Sequence, residues 1–255
     1  MNGEGASSGR CLPWLIIAAV LTGSPAVGCG STRDAQHAAQ AESPVSTGAL
    51  EGVVTWTGTT IPTPTLVENS TDPQVCGWKQ TLDDMVVSSR SRGVENVIVA
   101  LTDVPAEKIP APAPGRLVLY NRQCSFSPHV SVLTTGGAIE ATNSDPILHT
   151  THLYGPLEAN IALPLKDQRV LRTIEKPGLV IVKCDVHGWM QAFVRVDTHP
   201  FHAVSASSGS FRIPGVPPGD YTLEAWHEKF GTKRLRVQVR GGETLRVALE
   251  YSSAQ

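Results

Sequence analysis

The sequence lacks an excess of either charge. Its 21 Lys and Arg stand against 23 Asp and Glu, a formal net charge of −2. Such a balance provides no basic surface for nucleic acid and no strong electrostatic footprint on a membrane. It also lacks a long apolar run. Leu12–Leu21 is well short of the roughly 20 apolar residues a spanning helix needs. There is no Cys-x-x-Cys-His, so a covalently attached c-type haem is excluded. No stretch between residues 50 and 142 carries a helical period. With 23 Gly and 19 Pro spread along the chain, many short strands joined by turns are expected instead.

What is present concentrates in Cys184-Asp185-Val186-His187-Gly188-Trp189-Met190. A thiolate, an imidazole and a thioether at Cys-x-x-His-x-x-Met spacing need only one more His to complete the ligand inventory of a blue-copper site. Apolar runs on either side, Leu179–Val182 and Phe193–Val196, read as buried strands that hold the loop between them. A buried Cys beside a Met is commonly plain core, and zinc also takes Cys and His. The thioether favours copper. The missing His is sought in Asn143-Ser144-Asp145-Pro146-Ile147-Leu148-His149-Thr150-Thr151-His152. There a strand ends at Asn143, an Asp-Pro turn follows, and His149 opens the next extended piece. His149 is the first choice and His152 the second; three apart on a strand, they face opposite sides.

The chain starts with Arg10 ahead of the Leu12–Leu21 run, then small residues, as in a secretory signal. Ala26-Val27-Gly28-Cys29 resembles a bacterial lipobox, with Cys29 as lipid anchor and Ala26 where Leu is commoner; an ordinary cleaved signal is the alternative. Residues 1–28 are thus expected to be a lipoprotein signal peptide. Residues 29–47, poor in groups to bury, are expected to be a flexible tether. Of five cysteines, Cys11 leaves with the signal, Cys29 carries the lipid and Cys184 is a ligand candidate. Cys76 and Cys124 remain, an even pair in an oxidising compartment, expected to form a disulfide that pins the early strands. Two separate buried thiols are the alternative.

Strands are expected at Leu50–Trp56, Asn96–Leu101, Leu117–Tyr120, His129–Leu133 and Ala138–Thr142. The run Asn96–Leu101 is apolar enough to be buried on both faces. From about His199 short strands alternate around Pro217-Pro218-Gly219-Asp220 and Gly241-Gly242, suggesting a small antiparallel sandwich that leans on the first domain. His199, His202, His227 and Glu228 are read as hydrogen-bonding residues at a seam rather than a second metal site, and so is His129. Lys233, Arg234 and Arg236 are read as a solvated edge.

Asn143–His149 together with Pro177–Met190 resembles the cupredoxins, blue-copper proteins of the amicyanin and plastocyanin type. The short His-to-Met spacing is most similar to amicyanin. The resemblance is good over roughly residues 130–198 and loose before them. Thr150 departs from it, because amicyanin has an Asn there that ties the ligand loops together. Ser125–Val130, the Cys184 loop, Thr198–Phe201, Pro217–Tyr221 and Ala225–Glu228 further resemble exported bacterial proteins that fuse a cupredoxin to a carboxypeptidase-regulatory-like module. These are often labelled methylamine-utilisation-like, a name by association.

The resemblance implies an all-β chain. A cupredoxin-like Greek-key sandwich at 48–198 would precede a small transthyretin-like or carboxypeptidase-regulatory-like sandwich at 199–255. It implies copper on His149, Cys184, His187 and Met190, with His152, Asn143 and Trp189 as neighbours or alternative ligands. Trp189, Phe193 and Ile147 would form the apolar shell, and His187 the solvent-facing edge for electron entry. The expected function is a lipid-anchored, non-enzymatic type 1 copper protein on the periplasmic side of a bacterial membrane. It would pass single electrons to a redox partner protein and bind no nucleic acid. A copper-delivery protein, or a binding module with a vestigial site, are the alternatives.

Overall fold

The computed structural model describes residues 46–252, all within one compact unit, Ser43–Gln255. The expected signal peptide, Cys11, the lipid-anchor Cys29 and nearly all of the tether lie outside the described residues. The described chain is all-β, as expected. Its only helices are the single turn Pro73–Cys76 and a 3-10 turn at Ala106–Lys108.

Two sandwiches form, and they do not divide the chain at residue 198. One runs continuously from Arg116 to Asp197. Its first sheet orders Ala159–Leu163, His149–Tyr154, Gly178–Lys183, Gln191–Asp197 and Val130–Thr134. Its second orders Arg169–Thr173, Ala138–Asn143, Arg116–Arg122 and Ser125–Ser127. The other is split in sequence. Gly48–Trp56 lies between Ser210–Val216 and Thr244–Tyr251, while Ile98–Thr102 lies between His202–Val204 and Gly219–His227, with Gly231–Val239 at the edge. The expected boundaries 48–198 and 199–255 are therefore corrected. The strands at 48–56 and 98–102 belong to the C-terminal sandwich, and the first sandwich is an insertion within it.

The reason lies in hydrophobic demand. Ile98, Val99, Ala100 and Leu101 are all buried, so this strand needs neighbours on both edges and cover on both faces. The C-terminal segment provides them: Ala100 pairs with His202 and Glu224. Gly48–Trp56 adds in parallel to Thr244–Tyr251, so the expected purely antiparallel tail sandwich is also corrected. Leu50, Val54, Trp56, Val99 and Leu101 then share one core with Phe211, Ile213, Tyr221, Leu223 and Tyr251.

The inserted sandwich has its own core, including Leu119, Ile139, Leu153, Val180 and Val194. The two meet through Ile98, Val130 and Phe193, with Trp226 packed edge-on to Phe193 at 5.1 Å. Arg195 adds a polar tie, bonding Asp197 at 2.9 Å and Glu224 at 2.7 Å. Between the two early strands of the split sandwich lies a hairpin, Leu66–Glu68 with Lys79–Thr81. It carries the turn Pro73–Cys76 to one end of the inserted sandwich.

Candidate metal centre

Register places the ligand candidates. Lys183 pairs with His152 and Val182 with Leu153. Beyond that ladder, Thr150 bonds both Cys184 and Asp185, which brings His149 beside the residues that follow Lys183. The chain there leaves the sheet as the seven-residue loop Cys184–Met190 and returns at Gln191, opposite Lys183. The Cys184 amide donates to the Met190 carbonyl (3.3 Å) and the Met190 amide to the His187 carbonyl (2.9 Å), so the loop is closed on itself.

Cys184 Sγ then lies 4.0 Å from His149 Nδ1 and 3.8 Å from His187 Nδ1. The three donor atoms lie mutually within 4.8 Å. His149 and His187 are wholly buried, and Cys184 and Met190 are 4 % and 2 % exposed. Donors this close would be able to share one ion, with Cys184, His149 and His187 holding it. The donor set fits copper of the blue type.

Outer atoms fix each donor. The His149 Nε2 lies 2.9 Å from Asp145 Oδ2 and the His187 Nε2 lies 3.1 Å from Asp72 Oδ2. Each carboxylate accepts from the Nε2–H it faces, which turns the Nδ1 of both rings toward the sulfur. Asp145 also accepts from the amides of Gln123 and Cys124, both at 2.9 Å. Thr150 performs the loop-tying that its departure from the amicyanin pattern left in question. Its amide donates to Cys184 Sγ at 3.4 Å, and its hydroxyl accepts from the Asp185 amide at 2.7 Å.

These contacts set the charge states. Burial pushes the Cys184 thiol up, but hydrogen bonds from His149, the Thr150 amide and His187 outweigh it, leaving the thiol at about 6, down from 9.0. Burial also disfavours a charged His149. Hydrogen bonds and charge from Cys184 and Asp145 more than offset that, and its pKa is raised.

Other candidates have different places. His152 is turned away, its Nδ1 3.0 Å from Asp185 Oδ1 and its ring stacked on Tyr154 at 4.0 Å. Asn143 shapes the turn: its side-chain amide donates to the Ile147 and Leu163 carbonyls at 2.8 Å, and its oxygen accepts from the Asp145 amide at 2.9 Å. Trp189 packs against His187 at 5.1 Å, and its indole donates to the Cys124 carbonyl at 2.9 Å. Ile147 and Trp189 pack on the core that holds Cys184 and Met190.

Three expectations are corrected. Phe193 belongs to the seam between the sandwiches and not to this shell, because it alternates away from Ala192 and Val194. His187 is no solvent-facing edge: Gly188 is exposed, but the ring beside it is fully buried under Asp72. Cys76 and Cys124 are disulfide bonded, yet the bond pins no pair of strands. It ties the Pro73–Cys76 turn to the turn between Arg116–Arg122 and Ser125–Ser127. Both sulfurs lie within 4.8 Å of a ring nitrogen of His187.

The seam histidines are separately engaged. His129 bonds the Gln191 carbonyl (3.0 Å) and Glu228. His202 bonds Asp197 (2.9 Å), while His199 and His227 accept from the amides of Phe201 and Lys229, each at 3.2 Å. Asp72 and Asp145 are the partners that reading the sequence missed. The four-residue spacing of Asp145 and His149 was a usable signal; nothing in the sequence linked Asp72 to a residue 115 positions later.

Residues 190–251 match the family model of the carboxypeptidase regulatory-like domain. No curated protein matches the chain. Among solved structures, a Cu-containing nitrite reductase from Thermus scotoductus SA-01 aligns at 23 % identity and TM-score 0.29; the alignment covers 38 % of this chain and only 25 % of the reductase. Amicyanin from Paracoccus versutus aligns at 20 % identity and TM-score 0.28, covering 39 % and 97 %. A purple cupredoxin from Nitrosopumilus maritimus aligns at 20 % identity and TM-score 0.28, covering 32 % and 99 %.

Proposed function

We propose that the chain holds one copper ion on His149, Cys184 and His187, with Met190 as a weak fourth donor, and passes single electrons between redox partner proteins. One observation carries the reading: a buried thiol and two imidazole nitrogens, from loops 35 residues apart, converge at 3.8–4.0 Å with their outer atoms already engaged. Bound copper supplies a one-electron couple. The protein's part is to keep the donors still. The thiol is largely ionised at neutral pH, Thr150 and Asp145 fix the sulfur and the His149 ring, and burial excludes water. With four protein donors no position is left open for substrate, so the proposal is a carrier and not an enzyme.

Export and anchoring through Cys29 on the periplasmic side of a bacterial membrane belong to the proposal, as does kinship with exported cupredoxin and carboxypeptidase-regulatory-like fusions. The methylamine-utilisation-like label assigns no role in amine oxidation.

Titration of the purified protein with Cu(II), followed by visible absorption, tests the reading. An intense thiolate-to-copper band at one equivalent is expected, lost in Cys184→Ser and shifted in Met190→Leu. A colourless complex that holds only Cu(I) would point to copper delivery, and no binding to a vestigial site.

A further inference from the structure

We propose that Asp72 is a positioning residue for His187, brought to the metal centre by the Cys76–Cys124 disulfide; this deepens the copper reading above and rests on it. The cover over His187 comes from neither ligand loop. It comes from the hairpin Leu66–Glu68 with Lys79–Thr81, inserted between two strands of the split sandwich. Asp72 adopts a left-handed conformation (φ 50°, ψ 44°), which Asp tolerates better than most residues. Its carbonyl accepts from the amides of Val75 (3.0 Å) and Cys76 (2.9 Å). One tight turn therefore fixes Asp72 relative to Cys76.

Cys76 is bonded to Cys124, which is fully buried and anchored from both sides. Its amide donates to Asp145, the carboxylate behind His149, and its carbonyl accepts from Trp189, which packs on His187. The other end of the turn is secured by Asn69, whose side chain donates to the Gly77 carbonyl at 2.8 Å. The disulfide is thus the joint between the carboxylates behind the two imidazoles. Without it, the Asp72 side chain, 42 % exposed, would have only a short surface hairpin to hold it against the ring.

Two consequences follow. The His187 ring stays aimed at Cys184 whether or not an ion is bound, so it cannot swing out to solvent. The Asp72 carboxylate also makes the imidazole a stronger donor and favours the more highly charged oxidised metal. Substitutions of such outer carboxylates commonly lower metal affinity 10- to 100-fold. The partly exposed position of Asp72 sets the expectation at the lower end, about tenfold in Cu(II) affinity with little change for Cu(I). For a one-electron couple, that is an upward shift of about 59 mV in reduction potential.

The experiment uses the full chain with Asp72→Asn, Asp72→Ala, the double variant Cys76→Ala/Cys124→Ala, and the combination of Asp72→Asn with that double variant. Cu(II) and Cu(I) affinities and the potential are measured. Nitrogen-15 spectra of the metal-free protein report exchange of the His187 Nε2 proton. Expected are the tenfold loss in Asp72→Asn, a slowly exchanging Nε2 proton that exchanges fast in Asp72→Ala, where the acceptor itself is gone, and no added effect of Asp72→Asn once the disulfide is gone. An unchanged potential in Asp72→Asn, with copper bound, overturns the role of Asp72. An undiminished Asp72→Asn effect without the disulfide overturns the role of the bond. If the double variant does not fold, Asp72→Asn alone still decides the first point. A wild type that takes up no copper, yet protects the Nε2 proton that Asp72→Ala exposes, sinks the copper function and upholds the anchoring.

Discussion

The split sandwich should leave residues 199–255 unable to fold alone, although a sequence model matches 190–251 as a domain. The perturbation is expression of 199–255 by itself. Leu50, Val54, Trp56, Val94, Val97, Val99 and Leu101 account for seven of the eighteen buried members of its core. At roughly 1.5–3 kcal/mol for each buried apolar side chain, the fragment forgoes about 10–20 kcal/mol of burial. Part of that is returned as chain entropy, but a whole domain has only about 5–15 kcal/mol of net stability to lose. The geometry worsens the deficit. Ser210–Val216 and Thr244–Tyr251 lose the strand that sits between them, and Gly219–His227 loses its neighbour Ile98–Thr102, so unpaired backbone faces water along several edges. Circular dichroism and urea titration of 199–255 should show no cooperative transition. A complementary chain supplies the control. Leu101 donates to the Phe201 carbonyl at 3.0 Å and Ala100 pairs with His202, so residues 103–200 can be replaced by a short Gly/Ser linker. This chain, residues 46–252 without the inserted sandwich, should unfold cooperatively. A sharp transition in 199–255 alone, or none in the linked chain, would refute the reasoning.

Two further outcomes are expected. In the metal-free protein, thiolate absorbance should rise with pH through a midpoint near 6 and be absent in Cys184→Ser. The unfolded thiol still holds its proton between that midpoint and its ordinary value, so this group favours the folded state increasingly across the window as pH rises; a midpoint at 8.5 or above would contradict the hydrogen bonding described. Arg195→Met should lower the urea midpoint by the equivalent of about 1.5–3 kcal/mol, because Asp197 and Glu224, both mostly buried, each lose one charged hydrogen-bond partner while keeping His202 and Arg234. A loss under about 1 kcal/mol would mean the seam does not depend on that pair.

Local chemistry carried much of the site in the sequence. Cys184, His187 and Met190 are neighbours in the chain, and the apolar runs around them announce strands by composition alone, so the loop and its flanks were legible. His149 was legible because an Asp-Pro turn after a strand places the next residue at a sheet end. His152 was separable from it by strand parity.

Candidate donor types, strand character, the even pair of cysteines and the all-β class were legible in the sequence itself, since each depends on side-chain chemistry or on a period of two residues. Tertiary structure alone decided which strands share a sheet, which histidine is covered, and what the disulfide holds. Those are long-range matters: Gly48–Trp56 could satisfy its backbone and bury its apolar face against any open edge, and only the completed core selected Ser210–Val216 and Thr244–Tyr251. In the same way Asp72, with nothing local to mark it, reaches His187 because a hairpin of one sandwich is fastened by a covalent bond to the other.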